Sequence, residues 1–538
     1  MSFKRNKQYS NVSVDSSLKS ISNSLNSKKI DKWSPSKNYQ KVSFIVNDGK
    51  EYAGGQARTY WQSFFLMDGN KRFAFAGRFS YITGTLDAET LQAEPALVVN
   101  NPRLEPDEYF IDAAAGHAYL VAVTSKGRVY SGGYNQNSQL GHANDTTNRF
   151  SLLQVTNTAG VVFGTNGVRA VKCFVGNNPN LNQARSTYIL DSDGKVYGVG
   201  INDQGLLADN TTTTRTAFQR IGTIDGITNL YLNGYSVYAL RNDGNLYVWG
   251  RGGDGELGVG STSNLLNVTL STTNVKKVIM GADTQAYNSA YVLKNDGTVF
   301  FTGHATSLGG NGIDTTNRNS WTQVTTNLSG KNVVDIVAGG SSGSTAPAEY
   351  RSVWALIDDG SIFSWGYNGY GQLGHSGTTN VTTPTALTLP TGFPKVNKML
   401  VFGANAEYGF MGINMESGRM FTVGNWCYGA LGISNADPSA TWPIENVAAN
   451  RAHYPAREVQ TAPPIIEGNA KLKSIISMGS AADAQTRIFC LLDDGTVWAR
   501  GSNTFGECGT LLRGVYYTSV YSHWRNNIYN PNWQQVAF

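Results

Sequence analysis

The stretch Asp359-Gly360-Ser361-Ile362-Phe363-Ser364-Trp365-Gly366, followed by Asn368 and then Gly371-Gln372-Leu373-Gly374, decides the fold. Asp-Gly is a tight hairpin pair, because glycine accepts a positive φ without steric penalty. The residues after it alternate, so Ile362 and Ser364 fall on one face of a strand and Phe363 and Trp365 on the other.

The unit recurs along the chain. Its turn glycines are Gly127, Gly194, Gly244, Gly297, Gly360, Gly418 and Gly495, and in all seven copies a second glycine follows six residues later. After that glycine comes a second signal, as in Gln139-Leu140-Gly141, Glu256-Leu257-Gly258 and Gln372-Leu373-Gly374. Turn glycines stand 50 to 77 residues apart. A period of that size built from short strands describes propeller blades, not a helical solenoid. The expected fold is therefore all-β: a seven-bladed propeller over residues 105–538. A degenerate copy at Phe65-Leu66-Met67-Asp68-Gly69, with Gly77 eight residues on, would make an eighth blade. Terminal repeats are usually atypical, which favours reading 46–104 as an N-terminal cap instead.

Composition agrees. Glycine is 60 of 538 residues, 15% of residues are charged and 40% are hydrophobic, which suits a turn-rich chain with ample material to bury. No apolar run reaches the ~20 residues of a membrane span, and no apolar signal core opens the chain. Charge is unevenly placed. Residues 1–45 hold nine Lys/Arg against two Asp, while the remainder is nearly neutral. Val14, Leu18, Ile21 and Leu25 follow helical spacing in that segment. It reads as an anchoring arm, with Lys4, Arg5, Lys7, Lys28, Lys29 and Lys32 meeting acidic partner surface and Leu18, Ile21 and Leu25 entering a groove. A partner would have to offset the arm's ordering entropy.

These repeats resemble those of the regulator of chromosome condensation family. The resemblance covers residues 105–538 and is sharpest from Trp354 to Gly374; lead-ins such as Ala114-Ala115-Gly116-His117 match as well. It implies a closed propeller whose chain ends pair to shut the ring. Members of that family act as exchange factors on small GTPases, as chromatin binders, as enzyme inhibitors or as interaction platforms, and fold alone does not choose among them. An exchange factor would carry acidic loops. The long loops here are Asn/Thr/Ser-rich instead, as in 144–148, 210–214 and 376–380.

Catalytic patterns are missing from the sequence. There is no phosphate-binding loop, nucleophile elbow or zinc-protease helix motif. His142 and His375 share one repeat position, which fold symmetry explains. Cys173, Cys427, Cys490 and Cys508 form no metal-ligand spacing. The expectation is a protein without catalytic residues, metal or cofactor. Trp249, Trp365 and Trp498 are read as one strand position that fills the wedge between blades. Tyr516, Tyr517, Tyr521, Trp524, Tyr529 and Trp533 crowd the C-terminal end outside the repeat's spacing. They serve ring closure or a receptor- or glycan-binding patch.

Two functional readings follow. The first is a structural and adhesive component of a virion, such as a tail or head fibre. It would dock to other proteins through its arm, bind a host receptor or glycan on the propeller, and could self-associate. The second is a soluble, cytoplasmic regulator that binds a small GTPase, an enzyme or chromatin. The near-neutral body argues against direct nucleic-acid binding.

Overall fold

The computed structural model describes residues 42–45, 62–67, 72–78, 91–97 and, with gaps, 102–536; the longest gaps there are 340–350, 426–451 and 503–528. The described strands form eight four-stranded sheets, each with its strands side by side in chain order and antiparallel. Seven carry the repeat and are numbered here as blades 1 to 7: 110–154, 170–220, 227–272, 275–323, 333–386, 398–459 and 472–535. All seven turn glycines join second to third strands, with φ from +69° to +91°. The Gly418 hairpin is one residue longer than the others: Ile413 pairs with Met420, whereas Leu356 pairs with Ile362.

Burial explains why each strand has its composition. Second strands sit between both neighbouring blades and are buried end to end, as in Tyr119–Thr124, Ser289–Lys294 and Ser352–Ile357. Fourth strands form the outer rim and are half exposed, as in Arg318–Gln323. The layers between blades are apolar. Trp354 of blade 5 stacks on Phe410 of blade 6 at 4.9 Å, and Val237 and Trp249 of blade 3 pack with Tyr188 and Leu206 of blade 2.

One backbone bond repeats at the seams. The N–H that opens a blade's first strand donates to the turn-glycine carbonyl of the blade before. Ala170 meets Gly127 at 3.2 Å, Ile227 meets Gly194 at 3.0 Å, Val275 meets Gly244 at 2.8 Å and Val333 meets Gly297 at 3.2 Å.

The eighth sheet, 42–97, lies between blades 7 and 1. Val42 N–H donates to Gly495 O at 3.0 Å, the same seam bond. Lys473 Nζ reaches Ser43 O at 3.0 Å, much as Lys276 of blade 4 reaches Val334 O of blade 5 at 3.0 Å. On its other side Phe73 meets Phe110 of blade 1 at 4.8 Å. Its Val42, Ile45 and Ala74 share one apolar cluster with blade 1 and blade 7. Residues 42–45, which composition groups with the arm, are thus the sheet's innermost strand. Among the described residues the first and last strands do not share a sheet as the resemblance implied: Val42–Ile45 pairs with Gln62–Met67, and Tyr529–Gln535 pairs with Val497–Ser502. The reason is that the N-terminal segment supplies four strands of its own, so the ring closes through packed faces and the seam bond.

A Cβ on Gly194 would stand 2.4 Å from Ile227 N and 2.6 Å from Gly226 backbone, whereas at Gly330, with a similar φ of +75°, nothing lies within 4 Å. Gly330→Ala should therefore cost about 1 kcal/mol, the left-handed penalty alone. Gly194→Ala should cost at least about 2 kcal/mol more, because the seam must open. Urea unfolding of the two variants checks this; equal losses would remove the seam from the account.

Candidate interaction face

The meander places second-to-third turns and blade-to-blade links on one face of the ring. First-to-second and third-to-fourth connections lie on the other, here called the loop face. The turn face is self-satisfied. Asp243, Asp296, Asp359 and Asp494 each accept the backbone N–H two residues on, at 3.0, 3.0, 2.8 and 2.8 Å. These bonds close the turn. Hydrogen bonds from Arg241, Thr298 and Ser361 hold the first three carboxyls below their ordinary range.

On the loop face the third-to-fourth connections of blades 1, 2 and 5 fold around a buried amide. Asn135, Asn202 and Asn368 accept from the N–H of Leu140, Leu207 and Leu373 at 3.0, 2.7 and 2.9 Å. Their amide groups donate to loop carbonyls such as Asp145 O and Thr211 O. A second asparagine pins the far end: Asn148 accepts from Asn135 N–H and Asn380 from Asn368 N–H, both at 2.9 Å. The Asn/Thr-rich stretches therefore spend several of their hydrogen bonds on the loop itself. Asp209 is the strongest case. Burial pushes its carboxyl up, but hydrogen bonds from Thr211, Arg215 and Gln219 outweigh that and hold it well below the carboxylate range.

The two histidines with repeat symmetry are rivets. His142 Nε2 lies 3.1 Å from Ser131 Oγ and His375 Nε2 lies 3.0 Å from Ser364 Oγ. Each serine hydroxyl already donates to a leucine carbonyl, Leu140 O at 2.7 Å and Leu373 O at 2.9 Å. The serine oxygen is left to accept, so the histidine donates and neither hydroxyl is activated as a nucleophile. Burial lowers both imidazole pKa values.

Blade 3 replaces the repeat's glutamine with Glu256, which is fully buried. Its carboxylate accepts Asp254 N–H at 2.8 Å and pairs with Arg251 Nη1 at 2.8 Å; Asp254 also pairs with Arg251 and accepts Asn288 N–H from blade 4. Burial pushes Glu256 up to about 7 against the pull of Arg251.

The sequence-predicted residues divide unevenly. Lys4, Arg5, Lys7, Leu18, Ile21, Leu25, Lys28, Lys29 and Lys32 lie outside the described residues, as do Tyr516, Tyr517, Tyr521 and Trp524. Tyr529 opens the last strand of blade 7. Trp533 in the same strand is 4% exposed and packs at the seam of blades 6 and 7, which leaves it no role as a surface contact. Trp498 is not the equivalent of Trp249 and Trp365. Those two directly precede the closing glycine, and in blade 7 that position is Arg500; Trp498 matches Tyr247 and Phe363. Counting back from Gly501 would have shown this. Cys173 and Cys490 are buried, and the Cys173 thiol donates to Val121 O of blade 1 at 3.5 Å.

Comparison with known proteins agrees with this architecture. The family model for the regulator of chromosome condensation (RCC1) repeat matches residues 359–401. The human E3 ubiquitin-protein ligase HERC2 is 25% identical over 334 residues, 60% of this chain but 6% of that protein. The mitochondrial RCC1 domain-containing protein RUG3 of Arabidopsis thaliana is 27% identical over 272 residues, 48% of this chain and 55% of its own length. The chain thus spans between a small part and about half of these relatives. Among solved structures, Prp20p from Saccharomyces cerevisiae is 16% identical with a TM-score of 0.50, covering 78% of this chain and 88% of that one. The chain is a β-propeller of RCC1-type repeats.

The Glu256 proton gives a pH test. The folded state keeps it where the unfolded chain, with an ordinary carboxyl, has lost it. The stability it contributes is full below about pH 4.5 and is lost as pH rises through about 7. Wild type should lose on the order of 2–3 kcal/mol from this group between pH 5 and 8.5. Glu256→Gln, which restores the repeat residue, should flatten the profile. Parallel profiles in urea unfolding would show that Glu256 stays ionised throughout.

Proposed function

We propose that the chain is a non-catalytic, protein-binding RCC1-type regulator that engages its partner through the loop face. What carries this reading is where the chain departs from its own repeat. Third-to-fourth connections are 14 or 15 residues in blades 1 to 5 and 26 residues in the adjacent blades 6 and 7. Neither added length nor aromatic content there follows from the needs of the blade, and loops on a rigid scaffold are where binding residues concentrate. Tyr516, Tyr517, Tyr521 and Trp524 fall in the second of these connections. Aromatic side chains of that kind give rigid contact area with a polar tip.

The relatives favour this cellular regulator over the virion fibre, which rested on composition and the basic arm. The report on Prp20p describes its binding to Gsp1p and histones, so a GTPase, an enzyme or a chromatin protein is the class of partner to seek, in the cytoplasm first. The ligase activity in HERC2's name belongs to a protein of which this chain matches 6%. The Ser–His rivets support the non-catalytic reading. The arm adds a second, electrostatic contact with acidic partner surface, through Lys4, Arg5, Lys7, Lys28, Lys29 and Lys32.

The test replaces 503–528 with the 14-residue connection 367–380 and, separately, deletes 1–41. The loop replacement should unfold at the wild-type midpoint and lose its partner in affinity purification from the native cell. The arm deletion should weaken binding chiefly at low salt, where unscreened charge counts most. Partner capture unchanged by the loop replacement would overturn the assignment of the face.

A further inference from the structure

The residue before each closing glycine points across the seam toward the preceding blade. Trp249 fills this position in blade 3 and donates Nε1–H to Leu206 O of blade 2 at 2.7 Å. Trp365 fills it in blade 5 and donates to Tyr291 Oη of blade 4 at 3.3 Å. In blade 7 the position holds Arg500, fully buried. Around it, Ile488, Cys490 and Trp533 of blade 7 pack with Leu400, Phe402 and Met411 of blade 6.

The guanidinium carbon of Arg500 lies 4.6 Å over the Trp533 ring. Among the described residues its Nε, Nη1 and Nη2 meet no hydrogen-bond acceptor. Burial lowers its pKa to about 10, so it remains a cation at neutral pH. Leaving a buried cation without an acceptor is expensive, and buried polar groups are otherwise nearly always paired. In the other blades this position holds Gly132, Val199, Trp249, Thr302, Trp365 and Val423, so the fold does not call for a cation there. The stacking on Trp533 holds the guanidinium by its face and leaves the N–H groups of its edge without an acceptor among the described residues. That edge matches the two oxygens of a carboxylate. Val497–Ser502 ends two residues later at the loop face, which sets the direction of approach.

We propose that Arg500 anchors a carboxylate side chain of the partner protein, inserted from the loop face into the seam between blades 6 and 7. This deepens the loop-face reading and rests on it. Acetate serves as the probe. Thermal unfolding of the full chain is followed in sodium acetate and in sodium chloride at equal ionic strength and pH 7, for wild type, Arg500→Met and Arg500→Lys. The wild-type midpoint should rise saturably, by about 2 °C, in acetate relative to chloride. Both variants should lose that rise. Arg500→Met should unfold no lower than wild type in chloride, since it removes an unsatisfied charge and keeps the volume. Arg500→Lys keeps charge and stem but not the planar fork, so its loss of response separates recognition from packing.

A wild type that ignores acetate overturns the proposal, as does an Arg500→Met that still responds. So does an Arg500→Met that unfolds several degrees lower in chloride, because an acceptor within the chain would then be holding the guanidinium. The acetate response is read without the partner, so its failure leaves the loop-face reading to be judged by the loop replacement alone.

Discussion

Everything in this ring depends on how closely one blade can approach the next at the turn glycine. The carbonyls of Gly127, Gly194, Gly244, Gly297 and Gly495 each receive the N–H that opens the following sheet, and at Gly127, Gly194, Gly297 and Gly360 an added Cβ would press on the following chain. One residue therefore answers two demands, a positive φ within the hairpin and an empty volume at the seam. The first demand is local and many turns share it. The second is tertiary, and it sets the angle at which sheets stack. Because the same bond joins Val42 to Gly495, the N-terminal sheet is held as blades 2 to 5 are held to the blades before them.

That double demand explains what could be read from the sequence. The seven turn glycines and the six-residue interval are fixed by strand length between two constrained points, so they survive while most side chains vary. The N-terminal sheet was harder to recognise, since its glycines stand eight apart and no Leu-Gly signal follows. What betrays it is the seam contact, which is three-dimensional. Val42–Ile45 is four residues long and joins a basic segment, so composition averages it into the arm. The longer turn at Gly418 was hidden for a related reason: the extra residue falls before the glycine, and the ruler counts only after it.

The candidate site was less legible because polar residues have two possible employments. Asn148 and Asn380 sit in stretches that look ready to bind something, yet each holds its own loop. His142 and His375 look like reactive groups, yet each donates to a serine that is already committed. Repetition is the useful discriminator here. A contact that recurs in several blades is answering a structural need common to all of them, whatever chemistry its residues could perform elsewhere.

The converse argument is stronger. In a repeat protein each blade is a control for its neighbours, so a side chain that breaks the pattern at a buried position has to be explained by something local. Glu256 breaks it and finds Arg251 beside it, which makes blade 3 a self-contained exception. Arg351, just before its strand and at the same repeat position as Arg185, donates to Ser289 Oγ of the blade before, at 2.7 Å. Arg185 lies over the Tyr235 ring and pairs with Asp203. Each of these buried charges is matched by an acceptor in the same or the adjoining blade, so the fold can place acceptors where it puts cations. Arg500, held among the described residues by a ring face and no acceptor, differs from these in what it lacks.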